Sequence, residues 1–210
     1  MINVLLADDH ELVREGIKQL LNGAKDIDVI VEASNGAEAV SKYRQFHTDI
    51  VILDISMPVL DGLEAAKQIM AEDPKAKILI LTVHPEEQYA VRALKAGARG
   101  YITKGTTAKE LYRAVRMVAH GQRYLSEGGQ PSILTQLLDP KISLSPVQRL
   151  SDRELQVLRL IAEGVKTSEI ARTLRLNTKT VETYRTRLMN KLDLKTNAAL
   201  VLFAQRNGFV

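Results

Sequence analysis

The chain has no cysteine, which excludes disulfides, thiolate metal sites and a cysteine nucleophile. No apolar run approaches the roughly 18 residues of a membrane span. The opening residues Met1-Ile2-Asn3-Val4 show neither a basic leader nor a cleavable small-residue site. A folded, water-soluble protein of the cytoplasm, with no membrane partner, is the expectation. Internal repeats and low-complexity tracts are missing as well. The first 125 residues lack any charge excess: 16 Lys and Arg face 17 Asp and Glu, a net −1. Residues 126–210 differ, holding 13 against 8, a net +5. Such asymmetry suits a nucleic-acid-binding module joined to a neutral domain, although a solvated basic surface has the same composition.

What is present is ordinary globular material, 45% hydrophobic and 26% charged over 210 residues, enough for two modest cores. Up to about residue 120, short β-rich runs alternate with amphipathic stretches. Strands are expected at 2–7, 28–33, 50–53, 77–82 and 100–103, and helices near 11–21, 36–46, 62–72, 86–96 and 107–120. Asn35-Gly36, Asp61-Gly62, Asp73-Pro74 and Ala96-Gly97 fall between the periodic segments as turn signals. The pattern predicts an α/β fold, a doubly wound five-stranded parallel sheet of order 2-1-3-4-5. Residues 1–121 form this first domain. Glycines and prolines from 122 to 149 mark a linker, interrupting one short apolar helix candidate near Ile133–Leu138. Residues 150–210 carry only helical signals, near 152–163, 167–175, 178–191 and 196–206, and form a second, smaller all-α domain.

In that sheet, Asp8 and Asp9 follow strand 1 and Asp54 follows strand 3, the two neighbours at the topological switch point where ligands bind. Thr82 ends strand 4 and Lys104 follows strand 5. Each residue alone reads as a solvated turn, a cap, a packed hydroxyl or a surface charge. Together they put three carboxylates, a hydroxyl and an ammonium on one rim. Mg2+ takes oxygen ligands, typically one or two carboxylates beside phosphate oxygens. Asp9 and Asp54 are the expected direct ligands, Asp8 binds directly or through water, and the Ser56 backbone carbonyl is a further oxygen. A carboxylate can also act as nucleophile, with metal and lysine offsetting charge on the transferring group, and Asp54 is the candidate. His84, two residues beyond Thr82, has no second histidine spaced to complete a transition-metal site, and reads as a loop histidine.

These residues sit in the segments Ala7-Asp8-Asp9-His10, Leu53-Asp54-Ile55-Ser56-Met57-Pro58 with Asp61-Gly62, Leu81-Thr82 and Tyr101-Ile102-Thr103-Lys104. Residues 1–120 thereby resemble the flavodoxin-like receiver domain of bacterial two-component response regulators. The resemblance implies that Asp54 accepts a phosphoryl group from a sensor histidine kinase, that Lys104 contacts it, and that Thr82 and Tyr101 shift as a switch pair. Many receivers have proline after the lysine, often with a cis peptide; here Gly105 follows, and a trans bond is expected because a non-proline cis bond costs roughly 2.5–4 kcal/mol.

In the second domain Ser151 is a natural N-cap with Glu154 at the third helical position. Thr167 is the expected cap of a short helix, and Leu176-Asn177 turns into a longer one at 178–191, giving a helix-turn-helix. Advancing about 100° per residue from Val181 gathers Val181, Tyr184, Leu188 and Leu192 on one side. Lys179, Thr183, Thr186 and Asn190 then point the opposite way, flanked by Glu182 and Arg187, as a recognition helix needs for reading base edges in the major groove. Thr180, Arg185 and Lys191 are candidates for DNA phosphates. A small helical bundle with a merely solvated polar face would share this periodicity.

Leu150 to Leu194 resembles the LuxR-type DNA-binding domain, through Leu-Ser-Asp-Arg-Glu, Leu-Arg-Leu-Ile-Ala-Glu-Gly, Ser-Glu-Ile-Ala and Lys-Thr-Val-Glu-Thr-Tyr-Arg in order. Tyr184 stands where that family often has histidine, so its DNA preference does not carry across. The whole chain thus resembles the NarL/FixJ group of response regulators. That resemblance implies phosphorylation-driven homodimers on paired promoter half-sites, the last helix packing on the helix-turn-helix or on a partner copy, with RNA polymerase a further candidate partner. In the expected switch, phosphate on Asp54 draws in Thr82 and lets Tyr101 settle inward. Two rivals are a DNA-binding regulator indifferent to phosphate and a Mg2+-dependent phosphatase or phosphotransferase acting through Asp54 on a small substrate.

Overall fold

The five apolar runs form five parallel strands: β1 (Ile2–Ala7), β2 (Ile27–Ala33), β3 (Ile50–Leu53), β4 (Ile78–Thr82) and β5 (Gly100–Thr103). Their order is β2-β1-β3-β4-β5, as the sequence pattern predicts. This computed structural model describes residues 1–84, 86–125, 146–174, 176–207 and 209, with side chains at all of these but 86–88, 148 and 152. Every residue of β3 and β4 is buried, because helices cover both faces of a parallel sheet.

The connecting helices are α1 (Glu11–Asn22), α2 (Gly36–Gln45), α3 (Gly62–Glu72), α4 (Glu86–Lys95) and α5 (Ala108–Ala119). On one face, Leu111, Val115 and Val118 of α5 pack with Leu6, Ile52, Leu79 and Leu81 of the sheet. Tyr112 donates from its hydroxyl to the Leu20 carbonyl at 2.8 Å, and Arg116 forks onto Asp26 with two bonds of 2.7 Å, tying α5 to α1 and the turn after it. Helices α2 and α3 are likewise joined, by the Tyr43 hydroxyl on Asp73 at 2.6 Å and by Arg44 on Glu72. Side chains of Asn35 and Asp61 cap α2 and α3, and Thr107 and Glu110 form a capping box on α5, satisfying amides that the first turn leaves unpaired.

Two of the glycines expected as turn signals have a more specific task. A Cβ on Gly62 would lie 1.9 Å from the Asp54 carbonyl oxygen, and one on Gly36 would lie 2.4 Å from that of Leu60. The loop between β3 and α3 is therefore clamped by backbone at both places, with Gly62 N–H donating to Ile55 O at 3.0 Å and Gly36 N–H to Leu60 O at 3.0 Å.

Past α5, Gly121 turns the chain with φ +80°. Tyr124 then lies parallel beside Gly100 on the outer edge of β5, its carbonyl accepting from Tyr101 N at 3.0 Å and its N–H donating to Arg99 O at 2.9 Å. Its side chain joins the core. Tyr124, within the stretch expected as linker, is thus paired with the sheet, because an edge strand offers backbone groups that a passing segment can pair with. The helix candidate near Ile133–Leu138 lies outside the described residues.

The chain divides into two compact units, Met1–Leu138 and Asp139–Val210. In the second, a short 3-10 turn (Pro146–Arg149) leads into α6 (Asp152–Ala162), α7 (Thr167–Thr173), α8 (Thr178–Leu192) and α9 (Asn197–Arg206). Helix α6 packs against both α8 and α9, and α7 against α8. The core comprises Leu155, Leu158, Ile170, Val181, Leu188, Leu200 and Ala204, all at most 2% exposed. Thr167 does not cap α7 as expected; it is the first helical residue, and the extended residue before it is Lys166, which makes no side-chain cap bond. The Lys166 carbonyl, accepting from Glu169 and Ile170 amides at 2.9 Å, sets the helix start instead.

The expected capping box on α6 is present, and it carries more than a cap. The Glu154 carboxylate, only 3% exposed, accepts from Ser151 N at 2.6 Å and also from Lys191 Nζ at 2.7 Å, which fastens the start of α6 to the end of α8. Burial pushes the Glu154 carboxyl up, but Lys191 and Ser151 outweigh it and hold it below its ordinary value. Among the described residues no helix is long and apolar enough to cross a membrane.

Two outcomes follow from this packing. Gly62→Ala forces a methyl group into the Asp54 backbone and is expected to lower the stability of the first unit by about 2–3 kcal/mol in denaturant titration. Lys191→Met leaves Glu154 buried without its cation. The penalty is expected to be about 1–2 kcal/mol at pH 7, below the range for fully buried pairs because Lys191 is partly solvated. Since the folded Glu154 carboxyl titrates below its ordinary 4.5, the ion pair's contribution is complete above that pH. It is lost as pH falls through the lowered folded value, so the difference between wild type and variant should shrink there.

Candidate functional site

Strands β1 and β3 are adjacent and in register at their ends, Ala7 beside Leu53, so the residues that follow them must meet. The Asp54 amide donates to Ala7 O at 2.9 Å and the Asp8 amide to Ala33 O at 3.1 Å. These bonds fix both backbones and leave Asp8 and Asp54 with side chains 1% and 3% exposed. Lys104, one residue past β5, has its own amide on Thr82 O at 2.8 Å. From there it reaches across the end of β4 and puts Nζ 2.6 Å from Asp8 Oδ2 and 2.6 Å from Asp54 Oδ2. The Lys104–Gly105 peptide is trans, as expected.

Asp9 stands at the open side of the cluster with 27% of its side chain exposed. Burial holds its carboxyl above the ordinary value; His10 works against that, and Asp54 and Asp8 add to it. Lys104 is pushed down by burial, but Asp54 and Asp8 together outweigh this and its ammonium titrates above the usual range. One ligand atom from each of Asp8, Asp9, Asp54 and His10 lies within 4.8 Å of the others. Asp54 Oδ1 is buried and has no hydrogen-bond partner among the described residues. An oxygen-rich, anionic pocket with an orphaned buried oxygen fits a hard divalent cation such as Mg2+. Ser56, whose backbone carbonyl was the expected further oxygen, lies two residues past Asp54 in the same loop.

Thr82, at the end of β4, is fully buried, and its Oγ1 has no hydrogen-bond partner among the described residues. Tyr101, the expected partner of Thr82 in the switch, is packed inward, 0% exposed, with its hydroxyl donating to His84 O at 3.1 Å. His84 lies in the loop after β4, as expected, and is buried there: it is 6% exposed, its Nε2 lies 2.8 Å from Ser56 Oγ, and its ring stacks on Tyr89 at 4.5 Å. The only signal in the sequence was its place two residues after Thr82, which gave no hint of the Ser56 contact. The β3–α3 loop also carries Val59 at φ +70°, a left-handed conformation costly for a β-branched residue.

In the second unit, α8 presents Lys179, Thr183, Thr186, Arg187 and Asn190 to solvent, with Glu182 half-buried beside them. Val181 and Leu188 are buried, and Tyr184 and Leu192 are half-buried. Thr183 and Thr186 donate to Lys179 O and Glu182 O at 2.9 and 3.0 Å. Arg185 lies 3.4 Å from Glu182. Asn177 caps the helix, accepting from Thr180 N and its hydroxyl at 2.7 and 2.9 Å. Lys191, expected on a DNA phosphate, is 42% exposed and pairs with Glu154 and the Arg149 carbonyl, because a buried carboxylate attracts a nearby cation.

Residues 4–116 match the family described as the response regulator receiver domain, and residues 148–204 that described as bacterial regulatory proteins, luxR family. The chain is 42% identical over 208 residues to the response regulator UvrY of Escherichia coli (strain K12), covering 99% of this chain and 95% of that protein. It is 37% identical over 210 residues to the response regulator GacA of Pseudomonas aeruginosa, covering 100% and 98%. Among solved structures, RcsB from Salmonella enterica serovar Typhimurium bound to promoter rprA with the phosphomimetic BeF3- superposes with TM-score 0.68 at 26% identity, over 96% of this chain and 97% of that one. Receiver and helix-turn-helix account for both compact units, and the chain belongs to the response regulators of the NarL/FixJ group, a transcriptional regulator of the kind represented by UvrY and GacA.

Proposed function

We propose that Asp54 is the phospho-acceptor, taking a phosphoryl group from a partner histidine kinase in a Mg2+-dependent step that switches DNA binding by the second unit. The observation that carries this reading is the state of the Asp54 carboxylate: Oδ2 is held on Lys104 while Oδ1 is buried and unpartnered. Oδ1 attacks phosphorus; the P–N bond to the donor histidine breaks, and its electron pair returns to the imidazole nitrogen. Lys104 meets the charge on the phosphoryl oxygens, and the Thr82 hydroxyl donates to one of them. Asp8, Asp9, Asp54 and the Ser56 carbonyl would hold Mg2+, which supplies neutralisation and orientation of those oxygens. Self-hydrolysis, not turnover of an external phosphate ester, ends the signal.

Thr82 and Tyr101 act as the switch pair: phosphate on Asp54 draws in the Thr82 hydroxyl and favours the inward position of Tyr101. The receiver domain comprises 1–121, with the segment to Leu125 laid on its edge, and 150–210 is the DNA reader. Lys179, Glu182, Thr183, Thr186 and Arg187 face base edges in the major groove, and Thr180 and Arg185 face phosphates. Two copies on paired half-sites form the active species, within reach of RNA polymerase, and the protein works in the cytoplasm where its DNA is.

Asp54→Asn is expected to abolish incorporation of a phosphoryl group from acetyl phosphate and Mg2+, read by intact mass, and with it any gain in DNA affinity. A gain that survives the substitution would instead favour a regulator indifferent to phosphate. Arg187→Ala should cost about 1–3 kcal/mol on a specific site and relax base preference. Arg185→Ala should weaken all sequences alike and lower the slope of log affinity against log salt by about 1.

A further inference from the structure

The peptide that joins Asp8 to Asp9 is gripped by a side chain that no step of the proposed phosphoryl transfer uses. Arg14, on α1, donates from Nη1 to the Asp8 carbonyl at 2.7 Å and from Nε to Glu32 Oε2 at 3.2 Å. Its side chain is 16% exposed, so water competes weakly for either bond. Glu32 is itself held: Lys18 Nζ lies 2.5 Å from its Oε1, and its backbone sits in β2 opposite Leu6 of β1. Lys18 first, and Arg14 after it, keep the Glu32 carboxyl below its ordinary value against the upward push of burial. The guanidinium is therefore anchored from behind on the sheet while its other end meets the acidic loop.

Of the acids on this rim, Asp9 depends most on that grip. The Asp8 carboxylate is fixed at both oxygens, Oδ2 by Lys104 at 2.6 Å and Oδ1 by the His10 amide at 2.9 Å, and Asp54 Oδ2 is fixed by Lys104. Asp9 Oδ1 is buried without a hydrogen-bond partner among the described residues; His10 Nδ1 stands 2.9 Å away but is not aligned for a bond. Its direction is thus set by the backbone from which it leaves. An amide is planar, so holding the Asp8 oxygen also holds the Asp9 nitrogen.

We infer that Arg14 is a positioning residue for Mg2+: through the Asp8 carbonyl it aims the Asp9 carboxylate into the pocket that Asp9 shares with Asp54. This rests on Asp9 being a Mg2+ ligand, and adds the group that keeps that ligand in place. Position and charge act here with opposite sign. Removing a cation near an anionic pocket tightens the binding of another cation by Coulomb's law, whereas removing the brace of a ligand weakens it.

The test is titration of the full chain with Mn2+, read from the EPR signal of the free ion, and displacement of the bound ion by Mg2+. Arg14→Met keeps the apolar stem and removes the guanidinium. Its Mg2+ dissociation constant should rise about tenfold, the lower end for loss of a group that orients a metal ligand. Arg14→Lys, which keeps the charge and a donor, should lose less. In phosphorylation by acetyl phosphate, Arg14→Met should need correspondingly more Mg2+ for its half-maximal rate and reach the wild-type rate at saturation, because Asp54 and Lys104 are untouched. Should Arg14→Met fail to fold, Arg14→Gln, whose shorter amide stops short of the Asp8 carbonyl, must show the same weakening. An unchanged or lower dissociation constant in the folded variant overturns the role of Arg14, as does a lower saturating rate at unchanged affinity. Asp9→Asn tells the two readings apart. It should lose most of the Mn2+ binding, which leaves Asp9 a ligand even where Arg14 proves indifferent; wild-type affinity in Asp9→Asn overturns both.

Discussion

A single ammonium reconciles two buried carboxylates. Unit charges about 4 Å apart interact by ~4 kcal/mol at the effective dielectric of a protein surface, and Asp8 and Asp54 lie at the ends of neighbouring strands with almost no exposure. Lys104 stands 2.6 Å from an oxygen of each, which requires that β5 end within side-chain reach of β1 and β3. The strand order satisfies this, with β4 the only strand between β3 and β5. The Thr82 carbonyl at its tip anchors the Lys104 amide. The fold and the charge arrangement are therefore one constraint. The sheet order brings the acids together, and the lysine makes that order tolerable.

The sharing of Lys104 gives the switch its chemical logic. In the proposed switch a phosphoryl group on Asp54 would compete with Asp8 for the same ammonium, so the added charge would be answered by a cation already in place. The Thr82 hydroxyl beneath is buried and unbonded among the described residues, a polar group at a cost until an acceptor arrives. Tyr101, by contrast, already has its partner in the His84 carbonyl.

Sequence periodicity made the sheet and the acidic rim legible for a definite reason. Strand ends are marked by the change from apolar runs to turn residues, and adjacency at the switch point follows from the doubly wound pattern. Asp8, Asp9, Asp54, Thr82 and Lys104 needed nothing more than their places at strand ends. The contacts that the sequence does not show are those made with one partner far along the chain: His84 with Ser56, Lys191 with Glu154, Tyr124 with Arg99 and Tyr101. Periodicity assigns a face and a depth, and it leaves the partner on that face undetermined. Lys191 shows the limit well. Helical phase put it near the solvated edge of α8, and its 42% exposure agrees, yet its ammonium belongs to a carboxylate on another helix.

That same ion pair bears on how the second unit can read DNA. Base recognition depends on donors and acceptors held in fixed geometry, and a recognition helix that rocks would blur them. Helix α8 is fixed at its start by the Asn177 cap and along its inner side by Val181 and Leu188. At its end, Glu154 holds Lys191, and Asp193 closes the helix in the left-handed conformation at φ +53°. The Glu154–Lys191 pair makes the position of the outward face of α8 depend on α6, so the charges proposed for DNA, Lys179, Arg185, Arg187 and Lys191, are carried on a scaffold that Glu154 keeps in register.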